Sequence, residues 1–405
     1  MKKYDTIVIG AGPSGIMAAI TATKNHKKCL LIERNSYIGA KILASGGGRC
    51  NLSNTLPIEA FASMFGREGK FMLSSLKTFG RKELTEFLAS VGVKCHAPDG
   101  FRIFPTTHDS KTVVNALTQE LQRLNTDILL SHRVTEINNR NGSWEIDNAY
   151  FCNKLIIATG GFGFMQLGTE GDGYKFATAT GHKITKLFPA MLPIETKETW
   201  VKNCRADTIG KAVVQINLPK HCNKKAVGDL IFTSTGIRGP VVLDFAREIT
   251  PLIDEYGEVP LLINLVGGLN EEQIRAKIKS LPQNKLSLPL PEMLNTLVPE
   301  PLCVELCKLV GIDFSCTISK VEKIKRDKLI KLLAKTPLTA ISCGGFKEAM
   351  VTRGGVSLKD INCQTLESKI SKNLYFCGEV LDLDGPCGGY NLQWAFTSGF
   401  IAGSN

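Results

Sequence analysis

The 405-residue chain has no apolar run approaching the ~18 residues of a membrane-spanning helix, so no such span is expected. It has no CxxC pair; the nearest approach is Cys303 and Cys307. Thirteen cysteines, odd in number and scattered through a chain this long, argue against a disulfide framework. Free thiols point to a reducing compartment, and a cytoplasmic location is the expectation. Lys2 and Lys3 could open a signal peptide, but Gly10, Gly12 and Pro13 cut the apolar run Ile7-Val8-Ile9 too short for one. Aromatic residues make up only 7%, and they are not interleaved with the basic residues as in a single-strand nucleic-acid groove. No internal repeat or low-complexity tract is present.

What remains is ordinary globular composition, 43% apolar and 21% charged, which excludes a disordered or collagen-like chain. At ~150 residues per domain the length suggests two or three domains. Lys+Arg minus Asp+Glu is 49 − 38 = +11, a field that attracts anions such as nucleic acid, acidic lipid or phosphorylated ligands. The first reading of that charge is a solvated lysine-rich surface.

Tyr4 to Ile9 and Cys29 to Ile32 read as buried strands flanking a helix from Ser14 to Asn25, a βαβ unit. Helices are also expected from Gly69 to Val91, Lys111 to Leu124 and Gly173 to Gly181, and a strand at Leu155–Ala158. Residues from about 190 to 265 alternate in a β-rich pattern, and Leu269 to Ala334 carries helical periodicity. Within it, Val321 to Leu333 places Val321, Ile324, Leu329, Leu332 and Leu333 inward and Lys323, Lys325, Arg326 and Lys331 outward. That basic face reads as solvated. An α/β texture returns near 341, with a strand at Leu374–Cys377 and a helix from Asn391 to Ala402. The organisation expected is a first part over 1–190, an inserted domain over 191–340 and a completing part over 341–405.

Gly10-x-Gly12-x-x-Gly15 lies between the first strand and helix. Gly10 serves the tight turn, Gly12 a close approach by pyrophosphate, and Gly15 the packing of helix on strand. The helix start offers unpaired N–H groups and a positive dipole end to phosphate. Glu33 lies 18 residues after Gly15, at the end of the next strand, where its carboxylate can accept from ribose hydroxyls. An acid there would repel the 2′-phosphate of NADP. Further glycine-rich loops at Gly46–Gly48, Gly160-Gly161 and Gly385–Gly389 favour FAD over NAD, because a long cofactor needs repeated close approach of backbone. No second GxGxxG exists, so a dedicated nicotinamide-binding domain is not expected; NAD(P)H would dock transiently, or oxygen would reoxidise the flavin.

Two segments, Ile38 to Asn54 (IGAKILASGGGRCNLSN) and Gly378 to Phe396 (GEVLDLDGPCGGYNLQWAF), together with Gly100–Pro105 and Gly171–Tyr174, carry a resemblance over nearly the whole chain. The sequence resembles the BaiN-like (YhiN-type, aminoacetone-oxidase family) FAD flavoproteins. The resemblance implies an α/β, Rossmann-like FAD-binding fold of the two-dinucleotide-binding-domain type, with an inserted β-barrel plus helical domain, and non-covalent FAD. By that pattern Gly10, Gly12, Pro13, Ser14 and Gly15 would hold the pyrophosphate. Glu33, with Arg34 beside it, would hold the adenosine ribose, and Val134 would meet the adenine through its backbone. Lys41 and the loop Ser45, Gly47, Gly48, Arg49, Cys50 and Asn51 would run along phosphate and flavin. Glu379 would hold the ribityl chain; Gly389, Tyr390, Asn391 and Leu392 would lie at the flavin pyrimidine edge; Thr159, Gly160, Gly161 and Gly378 complete the cofactor set.

The chain departs from the family's usual Thr-His-x-Gly-x-Ser-Gly-Pro in the insertion, where it reads Thr233 to Pro240 with Ser234 for His and Arg238 for Ser. Cys387 is a further less typical residue. None of the six histidines sits in a flavin-contacting motif, so the candidate catalytic residues are Tyr390 and Asn391. Asn391 is expected to cap the last helix, whose N-terminus would stabilise negative charge on the flavin. Cys50 and Cys387 are read as packing residues in flavin-side loops. The expected function is hydride transfer between a small organic substrate or NAD(P)H and the flavin N5, with no metal, membrane or nucleic-acid partner. The alternative is an RNA-binding flavoprotein such as a tRNA modifier.

Overall fold

The computed structural model describes residues 2–405 and divides the chain into two compact units, Met1–Pro189 with Ala349–Asn405, and Ala190–Glu348. The chain has a Rossmann-like FAD-binding fold with an inserted barrel-plus-helix unit.

The first unit is built on a parallel sheet in the order Asp127–Leu129, Cys29–Ile32, Lys2–Ile9, Tyr150–Ile157, with Leu374–Phe376 pairing parallel to the end of Tyr150–Ile157. A hairpin, Ile137–Arg140 and Ser143–Ile146, runs antiparallel along the start of Tyr150–Ile157. The central strands are continuous apolar runs because both faces are covered: Ile7, Val8, Leu31, Leu155, Ile156 and Ile157 have no exposed surface. Register decides where the site lies. Ile9 sits opposite both Ile32 and Ile157, and Ile157 opposite Phe376. Four strands therefore end level, and Gly10, Glu33, Ala158 and Cys377 leave the sheet along one edge, the carboxyl edge where such sheets bind ligands.

The helix Pro13–Lys24 and the final helix Tyr390–Ser404 lie side by side. A Cβ at Gly399 would stand 2.1 Å from the Ser14 carbonyl oxygen, and one at Gly403 would stand 2.5 Å from that of Ala18. Matching 399 to 14 and 403 to 18 makes the helices run parallel. The final helix starts nine residues before Gly399 and the first helix one residue before Ser14, so the final helix's N-terminus extends roughly 12 Å beyond that of the first.

The second unit contains a closed antiparallel barrel in the order Ile194–Thr196, Gly236–Arg238, Lys225–Phe232, Thr208–Ile216, Val259–Asn264, Thr336–Cys343. Two elements differ from the sequence reading. The stretch read as β-rich contains a long helix, Pro240–Tyr256, whose Val241, Val242, Phe245, Ala246, Ile249 and Leu252 are buried at helical spacing. Its β-branched content and Pro251 disguised it. Residues 341–348 belong to this unit because Thr336–Cys343 closes the barrel against both Ile194–Thr196 and Val259–Asn264.

Two helix readings are also corrected. The helix expected from Gly69 to Val91 is broken, with helices at Leu73–Thr78 and Arg81–Ser90 on either side of Phe79-Gly80. Ile324, read as inward, is 69% exposed. The helix there is Lys323–Ala334, and only Leu329, Ile330, Leu333 and Ala334 are buried in it.

Candidate functional site

The site grows from the first turn after the first strand. Gly10 has φ +100°, and a Cβ there would lie 2.5 Å from the Ala158 carbonyl oxygen. At Gly15 it would lie 1.8 Å from the Gly10 carbonyl oxygen, so only glycine permits this turn to close. A Cβ on Gly12 would meet nothing within 4 Å: here the backbone borders open space. Gly12 caps the helix without a side-chain acceptor, and Pro13 occupies its first position. The first-turn N–H groups are left for an external acceptor, with the helix dipole behind them. An anion placed against Gly12, Pro13, Ser14 and Gly15 would meet those N–H groups.

Glu33 is only 8% exposed. Its Oε2 accepts from the Ala11 amide at 2.7 Å and its Oε1 from the Asn35 amide at 2.9 Å. Each oxygen keeps a lone pair, which suits a vicinal diol. Arg34 lies beside it, ion-paired to Glu170 at 3.1 Å and to Asp172 at 3.6 Å; its Nη1 is buried and has no hydrogen-bond acceptor. Arg133 closes the cluster, with Asp172 at 2.6 Å and Glu170 at 3.1 Å.

These pairs pin the loop around Val134 from one side. Asp147 pins it from the other, accepting from the Thr135 and Glu136 amides at 2.9 and 3.0 Å and from the His132 ring at 2.9 Å. Burial pushes the Asp147 carboxyl up, but the two amides, His132 and the Thr135 hydroxyl outweigh it and hold it below the usual carboxylate range. Among the described residues, the Val134 amide and carbonyl make no hydrogen bond, so a held strip of backbone stands ready for the edge of a base.

The turns from the two ends of the chain meet. A Cβ on Gly378 would lie 2.5 Å from the Ser14 hydroxyl, and the Gly378 amide donates to Ser398 at 2.9 Å. Lys41 is ion-paired to Glu379, whose other oxygen accepts from the Thr352 amide at 2.9 Å. Asn54 donates to the Gly388 carbonyl at 2.9 Å. The Asn51 amide, oriented to satisfy both its atoms, accepts from Gly389 at 3.1 Å and donates to the Ser53 carbonyl at 3.0 Å. The loop Ser45–Gly48 is a 3₁₀ turn with Gly47 and Gly48 bordering open space, and Arg49 lies over the Phe104 ring at 5.5 Å. The Thr159 hydroxyl, at the end of the central strand, is buried without a partner beside Gly160 and Gly161.

This arrangement fits FAD. Two helix N-termini without side-chain caps, roughly 12 Å apart along parallel axes, would offer donors to a pyrophosphate and to an electron-rich ring edge. The buried acid Glu33, the free backbone at Val134 and the orphaned Thr159 hydroxyl lie on the same unit.

Some expectations are corrected. Asn391 does not cap the final helix: the cap is Gly389 at φ +84°. The Asn391 side chain instead clasps Gly385, accepting from its amide and donating to its carbonyl, both at 2.8 Å. Tyr390 is 3% exposed, its ring packed on Phe61 and Phe65 with centroids 4.9 and 6.2 Å apart. Cys50 and Cys387 are free thiols, and burial pushes the Cys50 thiol up to about 12. Ser234 is exposed on the barrel turn between Lys225–Phe232 and Gly236–Arg238, and Arg238 is exposed at the end of the latter strand.

Sequence reasoning missed Asn54, Thr352 and Ser398. Thr352 accepts from the Phe162 and Gly163 amides at 2.7 and 3.1 Å, fixing the turn after Gly161. No spacing signal marks these residues; each works by meeting a partner distant in sequence.

Comparison with known proteins agrees with this geometry. Residues 4–405 match the family model for the HI0933-like protein Rossmann domain. The chain is 32% identical over 404 residues to the 3-dehydro-bile acid delta(4,6)-reductase of Clostridium scindens, covering 98% of this chain and 97% of the relative. It is 30% identical over 412 residues to the ribosomal RNA dihydrouridine synthase of Haemophilus influenzae, covering 99% and 98%. Among solved structures it resembles the 3-ketosteroid delta1-dehydrogenase of Sterolibacterium denitrificans, with a TM-score of 0.54 at 11% identity over 100% of this chain and 99% of that one, a likeness of fold. The chain belongs to the HI0933-like family of Rossmann FAD-binding proteins: it is an oxidoreductase, and FAD is its cofactor.

Proposed function

We propose that this flavoenzyme reduces a carbon–carbon double bond conjugated to a carbonyl group. The observation that carries the reading is the chemistry shared by the names of two full-length relatives. A 3-dehydro bile acid that is a substrate for reduction at its 4,6 positions is a dienone before the reaction; dihydrouridine is uridine saturated at a bond conjugated with the ring carbonyl. One is a steroid and the other a base in RNA, yet the reacting group is the same. Bound FAD, once reduced by a nicotinamide nucleotide, would supply the hydride.

The chain's own residues bind and orient. The N–H groups of Gly12, Ser14 and Gly15, with Pro13 setting the helix start, would receive the pyrophosphate, and Glu33 would take the adenosine ribose. Lys41 and Glu379, joined as a pair, would hold phosphate and ribityl chain. Asn51 and Asn54 tie the loops at Gly388 and Gly389 to the N-terminal segment, fixing the start of the final helix. That start places a positive dipole end at the carboxyl edge, where it favours negative charge. Of the two named substrate types, the chain's net charge of +11 favours RNA, the alternative weighed from the sequence.

Anaerobic spectroscopy of the FAD-loaded protein tests this. The flavin is first bleached with NADH or NADPH, and then a ribosomal RNA transcript, a 3-oxo-4,6-diene steroid acid or aminoacetone is added. Return of the yellow colour with a conjugated carbonyl compound, and not with its saturated analogue, is the expected result. Bleaching of the oxidised flavin by aminoacetone, with neither conjugated compound restoring colour to the reduced protein, would overturn the reading.

A further inference from the structure

The second unit carries 22 basic and 18 acidic residues over 190–348, a net of +4. Residues 320–335 alone carry seven basic and two acidic residues, a net of +5. The remaining residues of the unit therefore sum to −1, and the unit's positive charge is concentrated in one sixteen-residue segment.

The segment is the helix Lys323–Ala334 with one basic residue before it and one after. Its exposed positions include Lys320, Lys323, Ile324, Lys328, Lys331 and Lys335. Positions 324, 328 and 331 recur at intervals of four and three, which is one stripe of the helix, and Lys335 follows at its C-cap in non-helical backbone. None of the seven basic residues makes an ion pair among the described residues. Asp327, the acid within the helix, is held by Arg275 of the neighbouring helix Glu271–Lys279. Arg275 is the main partner of Asp327, with Lys323 and Arg326 acting on it as well, and Glu322 stands exposed at the helix start, six residues before Lys328; Lys277 and Lys279 of the neighbouring helix are also exposed.

We propose that this lysine stripe is a docking surface for the phosphate backbone of a structured RNA. The proposal rests on the reading above that the reducible group is a base in RNA. Charge complementarity selects the occupant: several unpaired lysines one turn apart on a rigid helix suit a regular array of phosphates. An acidic membrane is the weaker fit. A membrane-surface helix must place its apolar face among acyl chains, but here that face, Leu329, Ile330, Leu333 and Ala334, is buried in the protein. The stripe offers only Ile324 as an exposed apolar side chain. Lysines at these positions recognise backbone and not sequence, so they would position the RNA and leave the choice of base to the flavin site.

The test uses the full-length, FAD-loaded protein and a ribosomal RNA transcript, with affinity measured across a salt series. Three lysines are changed together, Lys328→Gln, Lys331→Gln and Lys335→Gln. All three side chains are solvent-facing, so the fold should persist, and unchanged flavin absorbance and melting temperature would verify it. The expected result is at least a tenfold loss of RNA affinity and a log–log salt slope shallower by about 2. Reoxidation of the reduced flavin by a small conjugated ketone should be unchanged. If the wild type binds RNA and the triple variant binds it equally with the same slope, the docking proposal fails while the RNA reading stands. If the wild type binds no RNA but reduces the steroid dienone, the RNA reading fails and takes the docking proposal with it. Lysine-dependent binding to anionic vesicles in the absence of RNA binding would assign the stripe to a membrane and overturn the proposal.

Discussion

The two units prepare for their ligands in opposite ways. In the first unit recognition is made of backbone: glycines at positive φ, contacts no Cβ could share, and helix starts left without side-chain caps. In the second unit the concentrated charge sits on flexible lysine side chains. Backbone recognition is exacting because a single methyl group ruins it. Side-chain charge is forgiving because each lysine adds a small, salt-screened increment.

The contrast is sharpest at Gly15. Gly15→Ala drives a Cβ to within 1.8 Å of the Gly10 carbonyl oxygen, so the turn must open. A loss of ~3 kcal/mol or more is expected, read as a lower denaturant midpoint and colourless protein. Gly12→Ala should separate binding from folding. Its Cβ meets nothing, so apo stability should stay within ~0.5 kcal/mol while FAD affinity, followed by flavin fluorescence, falls at least tenfold. If both variants fold and bind alike, the distinction between these two glycines is wrong.

Asn391→Leu comes next in size. It removes two hydrogen bonds to Gly385 from a part-buried site and should cost about 2 kcal/mol by thermal melting. A variant as stable as wild type would show that the clasp is unimportant.

Asp147 gives a pH-dependent test on the same unit. Its carboxyl is held below the ordinary range, so its contribution is complete above the unfolded value near ~3.9 and is lost as pH falls through the folded one. Asp147→Asn should destabilise the protein at neutral pH and flatten the acid limb of its stability curve. An unchanged limb would remove Asp147 as its source. The smallest effect concerns cysteine chemistry. Alkylation near pH 8 should mark the exposed Cys222 and Cys363 first and leave Cys50, pushed up to about 12, unmodified until the protein unfolds. Early modification of Cys50, read by peptide mass spectrometry, would reopen the flavin-side loop to redox roles.

The same contrast explains what could be read from the sequence. The Gly10–Gly15 turn and Glu33 at the end of the second strand were legible because few residue types satisfy them. Those constraints act between near neighbours, so spacing reveals them. Asn391 was legible as important and misread in role, since a polar residue at a helix start suggests a cap, and only the fold brings Gly385 back to it. Thr352 and Ser398 were invisible: each serves an amide from another part of the chain. The helix Pro240–Tyr256 was hidden because Val241, Val242 and Ile249 are as suited to strands as to a helix packed on a barrel. Ile324 was assigned inward by periodicity, whereas the buried stripe begins at Leu329.

The level edge of the sheet also has a consequence for the order of events during synthesis. The cradle draws on residues 10–54 and on residues 378–391, and the strand Leu374–Phe376 joins the sheet only beside Tyr150–Ile157. A nascent chain that has made the whole barrel still lacks one wall of the cradle. Flavin capture should therefore wait for the synthesis of residues 378–391, so that the vitamin-derived colour reports a chain carried past them and one terminated before them emerges pale.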